Sequence, residues 1–270
     1  MRRTAVLAGL VLPRASASGD IAEARAVMLA QFDDALGQFD DNDFGMPISL
    51  LSTHRDKLLQ GEVIAVIEHD FRTARRTFTR PDHWCDTLLL HLNTKACLYE
   101  KADDTKIHLY AGRKYYQPMD KATRISLGFD VLADQDDFVS VQLFSQQGPL
   151  GTSDYRIEFS AMPLPPTSMH ADPQPYSLLR FRFSYKTSWL ARRLTNLYLG
   201  QLAGHKVGFT VLGMDQQKPV YIKGLQGIIE RNTIRYFLAI KTHLDAVKKG
   251  DSMPQPPEHK GPARPVPKAA

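Results

Sequence analysis

The sequence has little cysteine and lacks the short motifs that mark several common enzyme classes. Two of its 270 residues are cysteines, and they form no Cys-x-x-Cys pair. No serine lies in a Gly-x-Ser-x-Gly elbow, and the loop Gly148–Thr152 lacks the Gly-Lys-Ser/Thr ending of a phosphate loop. These absences argue against thioredoxin-like redox chemistry, α/β-hydrolase chemistry and P-loop nucleotide binding, and we expect no cofactor.

Long apolar runs are also missing, and the one near the N-terminus is short. Arg2 and Arg3 precede an apolar stretch at residues 4–12, and the small-residue site Ala15-Ser16-Ala17 follows. A helix of that length spans far less than the roughly 30 Å hydrocarbon core of a bilayer. The three-part pattern predicts a secretory signal peptide at residues 1–17, and therefore a periplasmic or otherwise exported protein; a cytosolic N-terminus is the alternative.

The positive charge of the chain does not identify a nucleic-acid partner. The formal net charge is +5 and the sequence pI is about 9.1, but part of the basic excess lies near the two ends. No nucleic-acid-binding motif accompanies these residues, so we expect no nucleic acid among the partners. The terminal basic residues are Arg2, Arg3, Arg14, Lys248, Lys249, Lys260, Arg264 and Lys268.

Hydrophobic periodicity predicts an antiparallel sheet that follows an N-terminal helix. Residues 20–39 carry apolar residues at helical intervals, whereas residues 58–67 form a strand that is apolar on both faces and needs cover on both sides. Beyond Pro118, apolar residues alternate along successive strands joined by polar turns, which indicates a curved antiparallel meander. The predicted strands are 48–52, 58–67, 94–101, 106–114, 123–133, 138–144, 154–162 and 179–185, and two short helices at 71–80 and 82–92 meet at Pro81.

The last third of the chain departs from a simple meander. Ser188 is predicted to cap a helix at Trp189–Leu202, and a small hairpin follows within residues 207–222. That helix mixes leucines and aromatics with two arginines; core packing is one interpretation, and transient contact with an anionic membrane surface is the other. A long helix at 226–248 has a broad apolar stripe, and the proline-rich residues after Gly250 are expected to stay disordered.

Six short motifs carry a resemblance to a known superfamily. They are Gly61-Glu62-Val63, Trp84-Cys85-Asp86, Gly112-Arg113-Lys114, Gly148–Thr152 with Asp154-Tyr155-Arg156, Val207-Gly208-Phe209-Thr210, and Glu230-Arg231-Asn232 with Arg235-Tyr236. As a set they are similar to exported, largely uncharacterised bacterial members of the SRPBCC superfamily, which includes StAR-related lipid-transfer (START) domains, polyketide cyclases and pollen-allergen-type ligand carriers.

The resemblance covers residues 45–245 and implies a START-like helix-grip fold. This is an α+β fold in which a curved antiparallel sheet wraps around a long C-terminal helix; here an N-terminal helix and an inserted helix and hairpin are added. The simplest members of the superfamily lack that insertion. We divide the chain into a signal peptide at 1–17, an N-terminal helix and acidic turn at 18–44, the helix-grip domain at 45–249 and a disordered tail at 250–270.

The two cysteines lie among histidines and aspartates, but their spacing argues against a metal site. Cys85 and His91 point to different sides of the predicted helix, so we expect no metal there. The helix rises from Cys85 to His91 about as far as the next strand returns to Cys97, which would bring the two sulfurs to the same level. For an exported protein this predicts a disulfide between Cys85 and Cys97; two buried thiols and a redox pair are the alternatives.

The resemblance also implies a function. It suggests a periplasmic binding or carrier protein for an apolar or lipid-like small molecule held between the sheet and the C-terminal helix. Two other function classes stay open: a cyclase- or hydrolase-type enzyme acting on an apolar substrate in the same cavity, and a structural or interaction protein without a ligand. No catalytic residue is predicted. The residues predicted to line the cavity by aromatic stacking or by anchoring a polar head are Trp84, Arg113, Tyr116, Tyr185, Asn232 and Tyr236.

Overall fold

A computed structural model describes residues 17–40, 42–100, 103–148, 151–164, 175–188 and 207–250. Three predictions lie outside these residues: the signal peptide up to residue 16, the helix at 189–202 and the proline-rich tail from 251. Within them, the helices are α1 (Ala17–Ala35), α2 (Phe71–Phe78), α3 (Pro81–Leu89) and α4 (Gly224–Lys249). The strands are β1 (Ile48–Arg55), β2 (Leu58–Ile67), β3 (Thr94–Glu100), β4 (Asp103–Ala111), β5 (Thr123–Asp134), β6 (Val139–Gln147), β7 (Thr152–Pro163), β8 (Ser177–Thr187), β9 (Val211–Asp215) and β10 (Lys218–Tyr221).

One antiparallel sheet holds eight of these strands, in the order β1-β2-β8-β7-β6-β5-β4-β3. Strands β3 to β8 follow one another as the predicted meander. Strand β2 instead pairs with the last strand, Leu58 with Lys186 and Ile67 with Ser177. The chain between β2 and β3, which contains α2 and α3, therefore crosses from one side of the sheet to the other. Strands β9 and β10 form the predicted hairpin as a separate two-stranded sheet.

Helix α4 packs against one face of the sheet, which we call the inner face. Its buried apolar residues join those of β2, β7, β8 and the helix pair in one large core. The approach to β2 is close, because a Cβ built on Gly61 would lie 2.1 Å from Thr233 Oγ1. Glycine at this position therefore lets the helix come near the strand. This antiparallel sheet against a long C-terminal helix confirms the predicted helix-grip fold.

Helix α1 covers part of the opposite, outer face of the sheet. Met28 and Phe32 of α1 pack with Ile64 and Val66 of β2 in a second core. This explains why β2 is apolar on both faces, as its sequence predicted. The same outer face carries Arg182, which forms a salt bridge of 2.6 Å with the buried Glu62 carboxylate.

The helix pair is bounded by local signals that the sequence carries. Asp70 caps α2, because its carboxylate accepts a hydrogen bond of 2.9 Å from the Thr73 backbone N–H, and Pro81 occupies the first turn of α3. Helix α3 is shorter than predicted and ends at Leu89, after which a turn leads into β3. Cys85 of α3 and Cys97 of β3 form the predicted disulfide, with a Cα–Cα distance of 5.2 Å.

Two further features concern the solvent-facing side of β7 and the length of β1. Asp154 and Arg156 form a salt bridge of 3.2 Å on the solvent side, as does Asp154 with Lys186 at 2.9 Å, so this pair does not face the interior. Strand β1 runs to Arg55 rather than ending near residue 52, and the turn to β2 is correspondingly shorter.

No helix in the described part of the chain has the length and apolar character needed to cross a bilayer.

Candidate functional site

Aromatic rings gather on the inner face where α4, the end of the helix pair and strands β7 and β8 meet. Tyr236 of α4 stacks on His91, with ring centroids 4.5 Å apart and planes inclined by 19°. On its other side Tyr236 meets Phe183 edge-on at 5.1 Å. Tyr155 and Tyr185 continue the row, stacked at 5.1 Å, and Phe183 contacts both of them. We call His91, Tyr155, Phe183, Tyr185 and Tyr236 the inner aromatic cluster.

His91 is the one imidazole in this cluster, and one of its ring nitrogens has no partner. The side chain is 6% exposed, and Nδ1 accepts a hydrogen bond of 3.3 Å from the Asn93 backbone N–H. Nε2 is buried and makes no hydrogen bond to any residue that the structure describes. Burial, followed by the positive charge of Arg235, lowers the pKa of His91 to about 4. The ring is therefore neutral near pH 7, and because Nδ1 is the acceptor, Nε2 carries the proton as an unused donor.

Two tyrosine hydroxyls in the cluster are also available. Tyr185 and Tyr236 are 7% and 9% exposed, and among the described residues neither hydroxyl has a hydrogen-bond partner. Burial raises the pKa of both phenols, so both stay protonated and can donate or accept a hydrogen bond. The Tyr155 hydroxyl differs, because it accepts a hydrogen bond of 3.4 Å from the Thr152 hydroxyl. The cluster thus combines aromatic faces with two protonated phenol groups and the unpartnered Nε2 of His91.

Helix α4 adds cationic groups beside the cluster. Arg235 donates a hydrogen bond of 3.2 Å to the Asn232 side-chain oxygen, and within the described residues it has no carboxylate partner. Its half-buried guanidinium has a lowered pKa, first because of burial and then because of the nearby Arg231, yet it stays charged at pH 7. Asn232 and Arg235 therefore present a polar, positively charged edge to the aromatic cluster.

The structure brings three of the six residues predicted as ligand-binding to this region: Tyr185, Asn232 and Tyr236. Trp84 lies deeper in the core, where it packs on Phe78 at 5.1 Å and donates its indole N–H to the Phe78 carbonyl oxygen at 2.8 Å. Trp84 is 1% exposed. Its indole N–H is therefore already hydrogen-bonded, and its ring is covered by the core. The prediction that Trp84 presents a free stacking face does not match this environment.

Arg113 and Tyr116 lie elsewhere, in the surface connection between β4 and β5. The Arg113 guanidinium lies over the Tyr115 ring, 5.9 Å from its centroid, and Tyr116 is 89% exposed. Neither residue lines the space between the sheet and α4, because the chain leaves the sheet after Ala111 and turns toward solvent. The structure therefore places Arg113 and Tyr116 at the surface, apart from the inner aromatic cluster.

Sequence reasoning missed the polar role of His91 and the structural role of Glu230. Glu230 is fully buried, and its carboxylate accepts hydrogen bonds from several donors, which leaves it no free position. His91 lies in the turn after α3, and only the tertiary structure places it on Tyr236. The signal that could have found it is a polar residue between the apolar end of α3 and an apolar strand.

An open cleft of about 890 Å³ lies at a different place, between the α2–α3 junction and β5. Its walls are mixed, with Arg80 and Asp82 on the helix side and Phe129 and Val131 on the strand side. None of the six predicted ligand-binding residues lines it. The cleft and the inner aromatic cluster are therefore separate features.

Comparisons with known proteins were made for sequence and structure. No protein-family model and no curated protein sequence matches the chain. Human StAR-related lipid transfer protein 5 aligns with 84% of this chain and 99% of its own, at 10% identity and a TM-score of 0.37. The di-domain ARO/CYC StfQ from the steffimycin biosynthetic pathway aligns over 86% of this chain and 62% of its own length, at 11% identity and a TM-score of 0.39. Norcoclaurine synthase from Thalictrum flavum aligns over 57% of this chain and 82% of its own length, at 12% identity and a TM-score of 0.33. Likenesses of this size assign no activity.

Proposed function

We propose that the protein binds or carries an apolar or lipid-like small molecule with a hydrogen-bond acceptor in its polar head. The observation that supports this most directly is the buried Nε2–H of His91, which has no partner among the described residues although its ring stacks on Tyr236. A buried donor without a partner costs about 1–3 kcal/mol. A ligand carbonyl, carboxylate or phosphate oxygen next to His91 would remove that cost.

The surroundings of His91 fit an amphipathic ligand. Tyr155, Phe183, Tyr185 and Tyr236 offer faces and edges for an apolar body, and the free hydroxyls of Tyr185 and Tyr236 offer further hydrogen bonds. Arg235, without a carboxylate partner in the described part of the chain, favours an anionic head over a cationic one. The ligand class is thus a fatty or aromatic body with an acidic or acceptor-rich head.

We further propose that the protein works in an oxidising, extracytoplasmic compartment, with the periplasm as the expected one. The Cys85–Cys97 disulfide supports this, because such bonds persist mainly outside the reducing cytosol. The N-terminal Arg-rich, apolar and small-residue pattern points in the same direction. A carrier in that compartment would keep an apolar molecule away from water between two membranes or surfaces.

A cyclase- or hydrolase-type enzyme is the second candidate, and the same histidine bears on it. A perturbed, buried histidine is typical of an active site. However, a pKa of about 4 makes His91 a weak base near pH 7, since general bases work best when their pKa lies close to the working pH. The Glu230 carboxylate already accepts hydrogen bonds from several donors. These observations favour binding over acid–base catalysis.

The proposal can be tested by combining native mass spectrometry with binding of a defined probe. Protein purified without detergent is expected to carry a co-purifying lipid-like molecule, and delipidated protein is expected to bind oleate. The His91→Phe variant keeps a ring against Tyr236 but removes the donor, so oleate affinity should fall by about tenfold. His54→Phe, at an exposed histidine, is the matched control.

The outcomes separate the three function classes. An unliganded mass together with no oleate binding by wild-type protein would reject the carrier proposal and favour a protein with a filled core. Equal oleate affinity of wild type and His91→Phe would reject the role given to His91. Chemical conversion of the co-purified molecule by fresh protein would favour the enzyme instead.

A further inference from the structure

A second polar cluster lies between α3 and α4, apart from the inner aromatic cluster. His83 and Asp86 are three positions apart on α3, so their side chains share one face of that helix. His243 of α4 faces them, and its Nε2 lies 2.9 Å from Nδ1 of His83. One ligand atom from each of the three residues falls within 4.8 Å of the other two. None of the three belongs to the ligand site proposed above.

We propose that His83, Asp86 and His243 form a binding site for a divalent transition cation of the zinc class. Two imidazole nitrogens and one carboxylate oxygen are the donor set of many three-ligand zinc sites, in which water or a substrate takes the fourth position. With metal–ligand bonds of about 2.0–2.1 Å, tetrahedral geometry places donor atoms about 3.3 Å apart. The observed 2.9 Å between the two nitrogens needs to open by only a few tenths of an ångström.

The burial of the three residues supports an accessible but well-fixed site. His243 is 2% exposed and its ring lies 6.3 Å from the Phe78 ring, so the core holds it in place. His83 and Asp86 are half-buried, which leaves a side from which a cation and a water molecule can enter. The disulfide at Cys85, between the two α3 ligands, ties this helix to β3 and limits its movement.

The neighbouring residues determine how tightly this site can bind a cation. Asp82, one residue before His83, is engaged by the Arg80 guanidinium, so Asp86 remains as the anionic ligand. The second ring nitrogen of His243, Nδ1, is buried and has no hydrogen-bond partner in the described part of the chain. Most metal-ligating histidines donate that second N–H to an acceptor, which strengthens the bond to the metal. We therefore expect weaker binding than in a closed four-ligand structural site.

This site was not visible in the sequence, because His243 lies far along the chain from the other two residues. The pair His83 and Asp86 alone has no recognised spacing. The sequence places several histidines, aspartates and Cys85 within residues 82–91, but their spacing predicts no metal site. In the structure Cys85 forms the disulfide and His91 stacks on Tyr236. The third ligand is supplied by the packing of α4 against α3.

Cobalt(II) provides a direct test, because its visible absorption reports the coordination geometry. Full-length protein, treated with a chelator and dialysed, would be titrated with cobalt chloride and then with zinc chloride. We expect one strong tetrahedral cobalt band per chain, displaced by zinc, and a rise in the thermal midpoint on zinc addition. The variants His83→Gln and Asp86→Asn each remove one half-buried ligand, and His54→Gln and Asp33→Asn change exposed residues of the same types.

Both ligand variants are expected to lose cobalt affinity by about 100-fold, since even loss of an outer-shell partner commonly costs 10–100-fold. Their circular dichroism should match wild type, and His54→Gln and Asp33→Asn should bind as wild type does. Absence of a cobalt band in wild-type protein would overturn the proposal. So would a band that persists at wild-type affinity in His83→Gln and Asp86→Asn, because the metal would then bind elsewhere.

Discussion

The carboxylate of Glu230 accepts two hydrogen bonds from a single residue, Thr210. One Glu230 oxygen accepts the Thr210 backbone N–H at 3.0 Å, and the other accepts its hydroxyl at 2.6 Å. The same carboxylate accepts the Phe209 backbone N–H at 2.6 Å and the Ser52 hydroxyl at 2.7 Å. Glu230 is fully buried, so this one side chain joins α4, β1 and the segment that leads into β9.

Replacing Glu230 should therefore destabilise the fold without changing the residues of the proposed ligand site. In Glu230→Gln, an amide N–H group faces donors that now lack an acceptor, and we expect a loss of about 3 kcal/mol in the free energy of unfolding. Urea unfolding followed by circular dichroism measures this. Glu68→Gln, at an exposed glutamate, should change stability by less than about 0.5 kcal/mol. Equal unfolding curves for the two variants would contradict the role of Glu230.

The close contact between β2 and α4 leads to a second prediction. The methyl group of Gly61→Ala would meet Thr233 Oγ1 at 2.1 Å, so strand and helix must move apart. We expect a loss of about 1–3 kcal/mol, as for other overpacked cores. Adding Thr233→Ala removes that oxygen and should recover part of the loss, giving a non-zero coupling in a double-mutant cycle.

Gly213→Ala is the control for the glycine substitution, because a Cβ built there meets no atom within 4 Å. It should leave the urea midpoint almost unchanged. If Gly61→Ala were equally neutral, or if Thr233→Ala gave no recovery, the close approach of α4 to β2 would not be what fixes glycine at position 61.

The disulfide makes a third prediction. A thiol titration of unreduced, denatured protein should find no free thiol, since Cys85 and Cys97 are bonded to each other. The double variant Cys85→Ser, Cys97→Ser should lose about 3 kcal/mol in the free energy of unfolding, the size expected for closing so short a loop. Two titratable thiols in unreduced protein would contradict the bond. A double variant as stable as wild type would contradict its contribution.

A fourth prediction concerns the pH dependence of stability. The pKa of His91 is about 4 in the folded protein and should return to its ordinary value of 6.5 on unfolding. Between these values the unfolded chain binds the proton more readily, so stability that is present above pH 6.5 is lost as the pH falls toward 4. The loss is about 1.4 kcal/mol per pH unit for this one group.

Urea unfolding at several pH values, for wild type and His91→Phe, isolates that contribution. The variant should show a shallower fall in stability below pH 6.5, by about 1.4 kcal/mol per pH unit, because its ring cannot bind a proton. His243, whose pKa is also lowered to about 4, contributes equally to both proteins. His54→Phe should follow wild type. Parallel pH profiles for wild type and His91→Phe would contradict the low pKa of His91.

The parts of the fold that depend on short stretches of the chain could be predicted from the sequence. The meander follows from alternating strands, α4 from its apolar stripe, and the disulfide from the equal lengths of a helical segment and a returning strand. Alternation along a strand shows which residues share a face but not which face meets solvent, so the outward position of Asp154 and Arg156 comes from the structure.

Features set by contacts between distant segments were not predictable. Glu230 lies within the amphipathic helix α4, and no pattern indicates that its carboxylate is buried against amides from another segment. The same holds for His91 on Tyr236 and for His83 next to His243. Three of the six predicted ligand residues were placed together because they lie on β8 and α4, which the fold itself brings face to face. Arg113 and Tyr116 lie apart from these three, and their position could not be predicted because a loop's direction is not encoded in its residue types.

The pairing of β2 with β8 has a consequence for the order in which the molecule assembles. As the chain is synthesised, β2 can pair at once with β1, but the other side of β2 must wait until β8 has been made. Such non-local pairing folds slowly, because a long loop must close before any contact compensates for the lost entropy. Phe183 and Tyr185 lie on that closing strand. The proposed ligand site therefore cannot be complete until β8 and then α4, which follows it in the chain, have both been made.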